Sequence, residues 1–300
     1  YFATAFLTGS LNIFAAMLII YKYADRIKKV SMFKMITGIL FCLMVFGAIF
    51  SDNISNFIEG GLYRDKVILS EQTKYQHIVM TKHKDDLRLF IDGNVQFCSL
   101  DEYRYHEALV HVPMSQAKNK DNVLVLGGGD GLALRELLKY ENTKITLVDL
   151  DEEMTRLCGE DKNIIALNEN ALKSDRVTVI NQDAYKFLEN TTQQYDVILV
   201  DLPDPNNESL NKLYSNIFYR LCANALTEDG ILNVQSTSPY YATDAFWCIN
   251  KTIESEGFQV KPYHLQVPAF GDWGFNMASK KELSDKYDIS VETKYLSADN

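Results

Sequence analysis

The chain has 300 residues, a formal net charge of −10 and a sequence pI near 5.1. This length exceeds what one compact core usually needs, so two or three structural units are expected. The acidic balance argues against a general nucleic-acid binder, because neutralising phosphates needs Lys and Arg concentrated on one face. The five cysteines lack CxxC spacing and the five histidines form no ligand-spaced set, so we expect neither a disulfide framework nor a metal site.

Two apolar runs open the chain. Residues 1–21 contain no charged side chain and are about long enough to cross a hydrocarbon layer as a helix. A second run, 35–50, reaches spanning length if Lys34 snorkels at its start. We therefore predict a transmembrane helical hairpin over 1–50, as the end of a longer membrane domain. A pair of buried soluble helices is the alternative.

The loop between these runs is basic. It carries five cations against one acid, namely Lys22, Arg26, Lys28, Lys29 and Lys34 against Asp25. The positive-inside rule would place this loop in the cytoplasm and the rest of the chain on the opposite side. The chemistry of the later segments favours a cytoplasmic location for them instead. The two indications conflict, and the sequence leaves the side of the membrane open.

A linker is predicted over 51–70, followed by a small β domain over 71–117. Short alternating runs, YQHIVMTK and LRLFIDGNVQF, indicate strands, and Asp92-Gly93-Asn94 is a typical hairpin turn. The unit ends in DEYRYHEALVHVPM, where apolar residues repeat at helical spacing.

From 118 to 280 the chain alternates strand and helix. The apolar strands NVLVLG, KITLVD, VTVIN and YDVILV are separated by helical segments. This order predicts an α/β fold, a doubly wound and mostly parallel sheet of the Rossmann-like type found in S-adenosylmethionine methyltransferases. A polar segment, 281–300, follows.

The first strand runs into a glycine loop. Gly127, Gly129 and Gly131 alternate with other residues, which is not the GxGxxG of dinucleotide sites but is typical of sites for sulfonium nucleosides. Asp130 lies inside the loop, and its carboxylate suits an amine or sulfonium better than a pyrophosphate. The loop therefore disfavours NAD.

Acids follow the next two strands. Asp149 ends the second strand and is placed to accept hydrogen bonds from ribose hydroxyls. Asp183 follows the third strand and is placed to accept from an adenine amino group. For each, a solvated acid at a strand end remains the alternative.

The fourth strand ends in the loop DLPDP. Asp201 and Asp204 project from the sheet into the same crevice, stiffened by Pro203 and Pro205. A protonated amine is no nucleophile until it loses a proton, and a neighbouring carboxylate can both attract it and act as the base. An ordinary acidic turn is the alternative.

Several motifs, in order and spacing, resemble the spermidine synthase family. They are Tyr75-Gln76, IDG before Gln96, DE followed by YHE, GGGDG, the D-x-x-D-P loop and the closing W-x-F-x-x-A-S, and they span about 71–280. The resemblance implies aminopropyl transfer from decarboxylated S-adenosylmethionine, a co-substrate, to putrescine or a related amine. It also implies a homodimer without a prosthetic group. The apolar start resembles fused bacterial members, which implies a multi-pass protein of the inner membrane.

The resemblance also implies roles for single residues. Asp201 would be the base and Asp204 would hold the amine. The nucleoside would be bound by Gln76, Asp149, Asp183, Ala184 and the glycines 127, 129 and 131. The aminopropyl and amine channel would be lined by Tyr105, His106 and Asp130.

Some positions depart from the family pattern. Leu202 and Pro203 stand where soluble members usually have Ser or Thr, and Phe270 stands where they have Tyr in the loop before the closing Trp. Losing that phenol removes a hydrogen-bonding partner, so the acceptor amine stays open. Asp149 replaces the commoner Glu. Two rival functions remain, a methyltransferase using S-adenosylmethionine and a membrane transporter or sensor that binds polyamines without reacting.

Overall fold

The computed structural model describes residues 2–51, 53–54, 61–205 and 208–297. The chain divides into two compact units, Tyr1–Ile68 and Leu69–Asn300. The predicted linker lies partly outside the described residues, as do the last three residues of the predicted polar segment.

The first unit contains two long apolar helices, α1 (Phe2–Lys22) and α2 (Val30–Ile49), joined through a 3-10 turn at Ala24–Arg26. By length and composition alone, both could cross a membrane, a test that a signal sequence also passes. Large apolar side chains stand exposed on both, for example Leu11 at 69% and Ile49 at 72%. Apolar surface of this extent is unusual for a protein surrounded by water.

Close contacts at glycines pair the two helices antiparallel. A Cβ added at Gly47 would lie 2.5 Å from the ring of Phe6, and one at Gly9 would lie 3.1 Å from the sulfur of Met44. The small residue on one helix thus accommodates a large residue on the other, as is usual where helix backbones approach closely in membranes.

A small four-stranded sheet in the order β1-β2-β3-β4 comes next in the chain, and all of it except the first three residues of β1 belongs to the second unit. Asp92 and Gly93 both have positive φ, 49° and 81°, which fits the predicted Asp-Gly hairpin turn between β3 and β4. Strand β1 starts within the stretch predicted as linker. The strands are β1 (Lys66–Gln72), β2 (His77–His83), β3 (Asp86–Ile91) and β4 (Asn94–Cys98).

The larger sheet has seven strands in the order β10-β11-β9-β8-β5-β6-β7. Strands β5 to β9 pair parallel, and β11 pairs antiparallel with both β9 and β10. The strands are β5 (Asn122–Gly127), β6 (Lys144–Asp149), β7 (Val177–Asn181), β8 (Tyr195–Asp201), β9 (Leu226–Gln235), β10 (Gln259–Val267) and β11 (Gly271–Ser279).

Helices cover both faces of this sheet. They are α3 (Glu102–Gln116), α4 (Leu132–Leu137), α5 (Glu152–Glu160), α6 (Lys162–Asn168), α7 (Ala184–Asn190), α8 (Glu208–Asn211), α9 (Asn216–Ala225) and α10 (Thr243–Glu254). Along β5, Val123 and Val125 enter one apolar cluster while Leu124 and Leu126 enter the other, because successive side chains point to opposite faces. Burial on both faces explains the uniformly apolar strands. The predicted doubly wound, mostly parallel fold is confirmed.

The chain order reverses between β5 and β8. After β5 it proceeds outward to β6 and β7, then returns to place β8 on the other side of β5. The loops that follow β5 and β8 therefore meet at the carboxyl edge of the sheet, where open α/β folds bind their ligands.

A proline interrupts α3, the helix that faces this edge. Pro113 has no N–H, so the carbonyl of Leu109 lacks its helical partner. The side chain of Asn233, on β9, donates to that carbonyl over 2.9 Å. The contact satisfies a buried acceptor and ties the helix to the sheet.

Candidate active site

The glycine loop after β5 fits closely against the end of β8. Gly127 and Asp201 are register partners in the parallel sheet, and a Cβ at Gly127 would collide with the Asp201 carbonyl. A Cβ at Gly128 would lie 3.1 Å from Oδ2 of Asp201. Glycine is thus required for space here, and positive φ at both positions favours it independently. The result is a carboxylate lying over the loop.

Asp149 reaches the same loop from β6. Its Oδ2 accepts from the Gly129 N–H at 3.0 Å, and its Oδ1 accepts from the Asp151 N–H at 2.9 Å. Burial raises the pKa of Asp149 to about 6, although both N–H donors favour the ionised form. Each oxygen has a further lone pair, so the carboxylate can also accept from ribose hydroxyls.

The turn that carries Gln76 lies beside the end of β6. The hydroxyl of Thr73 donates to Oδ2 of Asp151 at 2.6 Å, and the Gln76 carbonyl accepts from the Thr73 N–H at 2.9 Å. Asp151 is bonded in turn to Asp149. Asp151 therefore bridges Thr73 and Asp149, which are far apart in sequence, and brings the turn of Gln76 close to Asp149.

Asp183 ends the connection after β7 and caps α7, whose first residue is the buried Ala184. Its Oδ1 accepts from the N–H groups of Tyr185 and Lys186, and Lys212 lies 2.6 Å from its Oδ2. Partial burial raises the pKa of Asp183, but the Lys212 hydrogen bond outweighs it and the pKa falls below its usual value. An adenine contact, which stays a prediction, would have to compete with Lys212.

On the other side of the loop, α3 presents Tyr105 to Asp201. The Tyr105 hydroxyl donates to Oδ1 of Asp201 over 2.5 Å. Its ring lies edge-on to aromatic neighbours, 6.1 Å from Phe270 and 6.5 Å from Trp273 between centroids. This aromatic wall holds the phenol in place and forms an apolar side to the site.

Asp201 has an unusual environment for a carboxylate. Burial raises its pKa to about 6; the His106 cation lowers it, the negative charge of Asp130 raises it, and the hydrogen bond from Tyr105 lowers it again. A carboxylate with a pKa near 6 is ionised at neutral pH yet basic enough to accept a proton from a bound group.

His106 supplies a positive charge beside these acids. Its Nδ1 lies 2.8 Å from Oε2 of Glu102, which in turn forms a bidentate pair with Arg135 at 2.8 and 3.0 Å. Burial opposes the charge, but the contact with Glu102 outweighs it and raises the pKa of His106 to about 9. The imidazole is therefore cationic at neutral pH.

Asp130 has one carboxylate oxygen engaged in a local hydrogen bond, which the sequence did not indicate. Its Oδ1 accepts from the N–H of Leu132, the first residue of α4, at 2.9 Å. Burial raises its pKa, and the nearby His106 cation lowers it. Asp130 therefore contributes negative charge to the site with one oxygen already bonded.

The second acid of the DLPDP loop is held from β9. Gln235 donates from its amide to Oδ1 of Asp204 at 3.1 Å and to the hydroxyl of Tyr214 at 2.9 Å. Tyr214 donates to the carbonyls of Leu202 and Pro203. Burial raises the pKa of Asp204. The loop is thus fixed by side chains from two other elements.

Four of these supporting residues were missed from the sequence. Gln235 ends the apolar strand β9, so the rule applied to the other strand ends would have selected it. Glu102 precedes His106 by four residues on a predicted helix, a spacing that brings side chains together. No sequence signal marks Tyr214 or Arg135, because their partners lie far away in the chain.

Comparison with known proteins decides the family. A model of the spermine/spermidine synthase domain matches residues 102–289. The polyamine aminopropyltransferase of Oceanobacillus iheyensis is 45% identical over 298 residues, 99% of this chain and 58% of that protein. The chain belongs to the spermine/spermidine synthase family. Another relative is the polyamine aminopropyltransferase of Leptospira interrogans, 44% identical over 98% of this chain and 59% of that protein. The chain thus spans less than two thirds of these relatives.

Solved structures of the family share the fold. A spermidine synthase crystallised with the transition-state analogue AdoDATO matches with a TM-score of 0.73 and 27% identity, covering 78% of this chain and 83% of that one. The spermidine synthase of Thermotoga maritima matches with a TM-score of 0.71 and 27% identity, covering 78% and 82%. The resemblance inferred from the motifs is confirmed.

Proposed function

We propose that the chain contains the catalytic part of a polyamine aminopropyltransferase. It would move the aminopropyl group of decarboxylated S-adenosylmethionine to putrescine or a related amine, giving spermidine and methylthioadenosine. The observation that carries the proposal is the partly buried Asp201 carboxylate, which lies over the glycine loop, is held by Tyr105 and has a pKa of about 6. Membership of the family supports the same chemistry.

The reaction proposed is a direct displacement. The amine first gives a proton to the Asp201 carboxylate, which frees its lone pair. The nitrogen then attacks the methylene carbon beside the sulfonium, so that a C–N bond forms as the C–S bond breaks. The electron pair of the broken bond goes to sulfur, leaving a neutral thioether. The enzyme contributes the base and the alignment, and it forms no covalent intermediate.

The negative charge of the site favours the binding of both proposed substrates. The sulfonium donor and the protonated amine are cations, and the site offers the carboxylates of Asp130, Asp149, Asp201 and Asp204. The described cations beside them, His106 and Arg135, are both paired with Glu102. In a site partly shielded from water, this excess of negative charge attracts cations more strongly than it would in bulk solvent. Neutralisation by substrate would also relieve the repulsion between the buried acids.

The nucleoside would lie along the carboxyl ends of β5, β6 and β7. We assign the ribose to Asp149 and Gln76, the close approach of the donor to Gly127, Gly129 and Gly131, and the adenine to the Asp183-Ala184 turn. The hydrogen bond that joins the glycine loop to Asp149 supports this order, because it brings the loop and the ribose-binding acid into one surface.

The amine would lie on the opposite side of Asp201, between Asp204 and the aromatic wall of Tyr105, Phe270 and Trp273. Tyr105 and His106 line this channel. Phe270 presents no hydroxyl there, and Leu202 and Pro203 offer only backbone carbonyls that Tyr214 already occupies. The far end of the amine is therefore held mainly by Asp204, which a second ammonium group would satisfy.

The test uses the purified protein in detergent with decarboxylated S-adenosylmethionine and a panel of diamines and triamines, and mass spectrometry of the products. We expect an aminopropylated amine and methylthioadenosine in equal amounts. Asp201→Asn should lower turnover by about a hundredfold or more while keeping nucleoside binding. Methyl transfer from S-adenosylmethionine, or binding of polyamines without product, would overturn the proposal in favour of the two rival functions.

We further propose that residues 1–50 anchor the protein in the bacterial inner membrane and that the catalytic unit faces the cytoplasm, where its substrates are expected. Cys248 is exposed on the catalytic unit and gives a native reporter. A membrane-impermeant maleimide should leave it unlabelled in intact spheroplasts and label it after lysis. Labelling in intact spheroplasts would place the unit outside, as the basic loop suggests.

The family likeness also leads us to propose a homodimer, with a β domain over 71–117 and a catalytic domain over 118–280. Light scattering of the detergent-solubilised protein should give twice the mass of one chain after subtraction of detergent. A monomeric mass with full activity would contradict the dimer.

A further inference from the structure

One buried carboxylate near the site has no part in the mechanism above. Glu107, on α3, is fully buried at 0% exposure. Its two oxygens accept three consecutive backbone N–H groups, from Lys294 at 2.6 Å, from Tyr295 at 2.9 Å and from Leu296 at 2.9 Å. A carboxylate offers only acceptors when ionised and suits such a row of donors.

The segment 292–296, here called the C-terminal strap, makes further contacts around the same turn of α3. The guanidinium of Arg104 lies 4.6 Å from the ring centroid of Tyr295, and the ammonium of Lys294 lies 5.7 Å from that of Tyr103. At its start the Glu292 carbonyl accepts from Lys139 at 3.0 Å. The match to the family domain ends at residue 289, before the strap begins.

The strap and the active site contact opposite faces of one helix. Tyr105 and Glu107 are two residues apart, which is about 200° of rotation in an α-helix. Tyr105 reaches Asp201 on one face, while Glu107 reaches the strap on the other. The strap therefore supports α3 on the face opposite the active site, at the same turn that carries Tyr105.

This support matters because α3 is weakened further along. Pro113 breaks its hydrogen-bond ladder, and the orphaned carbonyl depends on Asn233. A helix with an interrupted ladder bends more easily. Contacts at residues 104 and 107 fix the rotation of the first two turns independently of that weak point.

We propose that Glu107 is a positioning residue for the transfer reaction, which it serves by anchoring α3 to the C-terminal strap so that the Tyr105 hydroxyl meets Asp201. The proposal rests on the proposed function. It predicts that loosening the strap acts on turnover through the bond between Tyr105 and Asp201, and not merely through stability.

The test is a double-mutant cycle in the full chain. Glu107→Gln keeps the side-chain volume but turns an amide NH₂ toward backbone donors. We expect kcat to fall by about tenfold to a hundredfold, as for a small misplacement of a catalytic group. We also expect the acid limb of kcat against pH to move upward, because Asp201, which faces His106, Asp130 and Tyr105, loses a donor. In a Tyr105→Phe background the same substitution should have little further effect.

Gln116→Ala is the matched control. Gln116 lies on the same helix, about 14 Å further along its axis than Glu107, and bonds the tail at Lys286 and Ser284. It should lower the thermal midpoint without shifting the pH profile. If Glu107→Gln prevents folding, Tyr295→Pro removes one strap N–H without entering the core, and it should shift the acid limb in the same direction.

The outcomes separate the two proposals. An inactive wild-type protein contradicts the proposed function itself. An active wild type whose Glu107→Gln variant keeps the pH profile, or loses equal activity with and without the Tyr105 hydroxyl, overturns the positioning role and leaves the transferase intact.

Discussion

Replacing Tyr105 by Phe should change the pH dependence of the reaction in a calculable way. The substitution removes the only hydroxyl on that ring and with it the 2.5 Å hydrogen bond to Asp201, while the aromatic packing remains. Because the bond favours the ionised carboxylate, its loss raises the pKa of Asp201 above the present value of about 6. His106 and Asp130, the other charged groups facing Asp201, are unchanged.

The size of the shift follows from the strength of the bond. A hydrogen bond to a charged group contributes about 1.5–3 kcal/mol, and one pKa unit corresponds to about 1.4 kcal/mol. The pKa should therefore rise by about 1–2 units, to about 7–8. At pH 7 the ionised fraction would fall from about nine tenths to about one quarter for a pKa near 7.5. Ionisation alone then lowers turnover about fourfold at pH 7 and hardly at all near pH 8.5.

The assay is the initial rate of product formation by mass spectrometry between pH 5.5 and 8.5, with both substrates saturating. Tyr214→Phe is the matched control, since it also removes a buried phenol that bonds the DLPDP loop, yet has no bond to Asp201. It should lower the plateau without moving the acid limb. An unchanged acid limb in Tyr105→Phe would refute the role assigned to the bond.

Three further predictions follow from contacts at the site and below it. Asp201→Asn should be more stable than the wild type at pH 8 by up to about 3 kcal/mol but nearly equal to it at about pH 3. A folded pKa of about 6 above an unfolded value of about 3.9 means that ionisation destabilises the native state, and the difference develops between these two values. Thermal unfolding at both pH values checks the sign, and a gain at the lower pH alone would contradict it. Gly129→Ala places a Cβ 2.6 Å from Oδ2 of Asp149 and should weaken nucleoside binding about tenfold or more, as measured by calorimetry. An unchanged affinity would contradict the assignment of the ribose to Asp149. Asn233→Ala should destabilise the fold by about 1–3 kcal/mol in denaturant titration, since the Leu109 carbonyl loses its partner, and an unaffected midpoint would show that water replaces it.

The fold could be predicted because its signals are local. Apolar strands, the glycine loop and acids at strand ends are each visible within about ten residues, and parallel strands necessarily bring their carboxyl ends to one edge. Gly127 and Asp201 could therefore be assigned to one crevice before their register was known.

What could not be predicted depends on distant partners. In the sequence Glu107 is an ordinary acid on a predicted helix, and no neighbouring residue indicates that it binds the amides of residues 294–296. The adenine contact of Asp183 stays a prediction, and its ion pair with Lys212, from the 3-10 helix Lys212–Tyr214, was not foreseen. Such contacts form only when the whole sheet is assembled, so single-sequence patterns carry no trace of them.

The tight fit between the glycine loop and the end of β8 has a consequence for engineering. Because the backbone of Gly127 is packed against the backbone of Asp201, the loop proposed to bind the donor and the residue proposed as the base cannot move independently. A library that varies this loop to accept a different donor is therefore expected to displace the proposed base, Asp201, at the same time. Phe270 and Trp273, the members of the aromatic wall other than Tyr105, have no hydrogen bond to Asp201 among the described contacts. Variation directed at these two rings therefore leaves that unit intact and is the way to broaden the acceptor range of the proposed transferase.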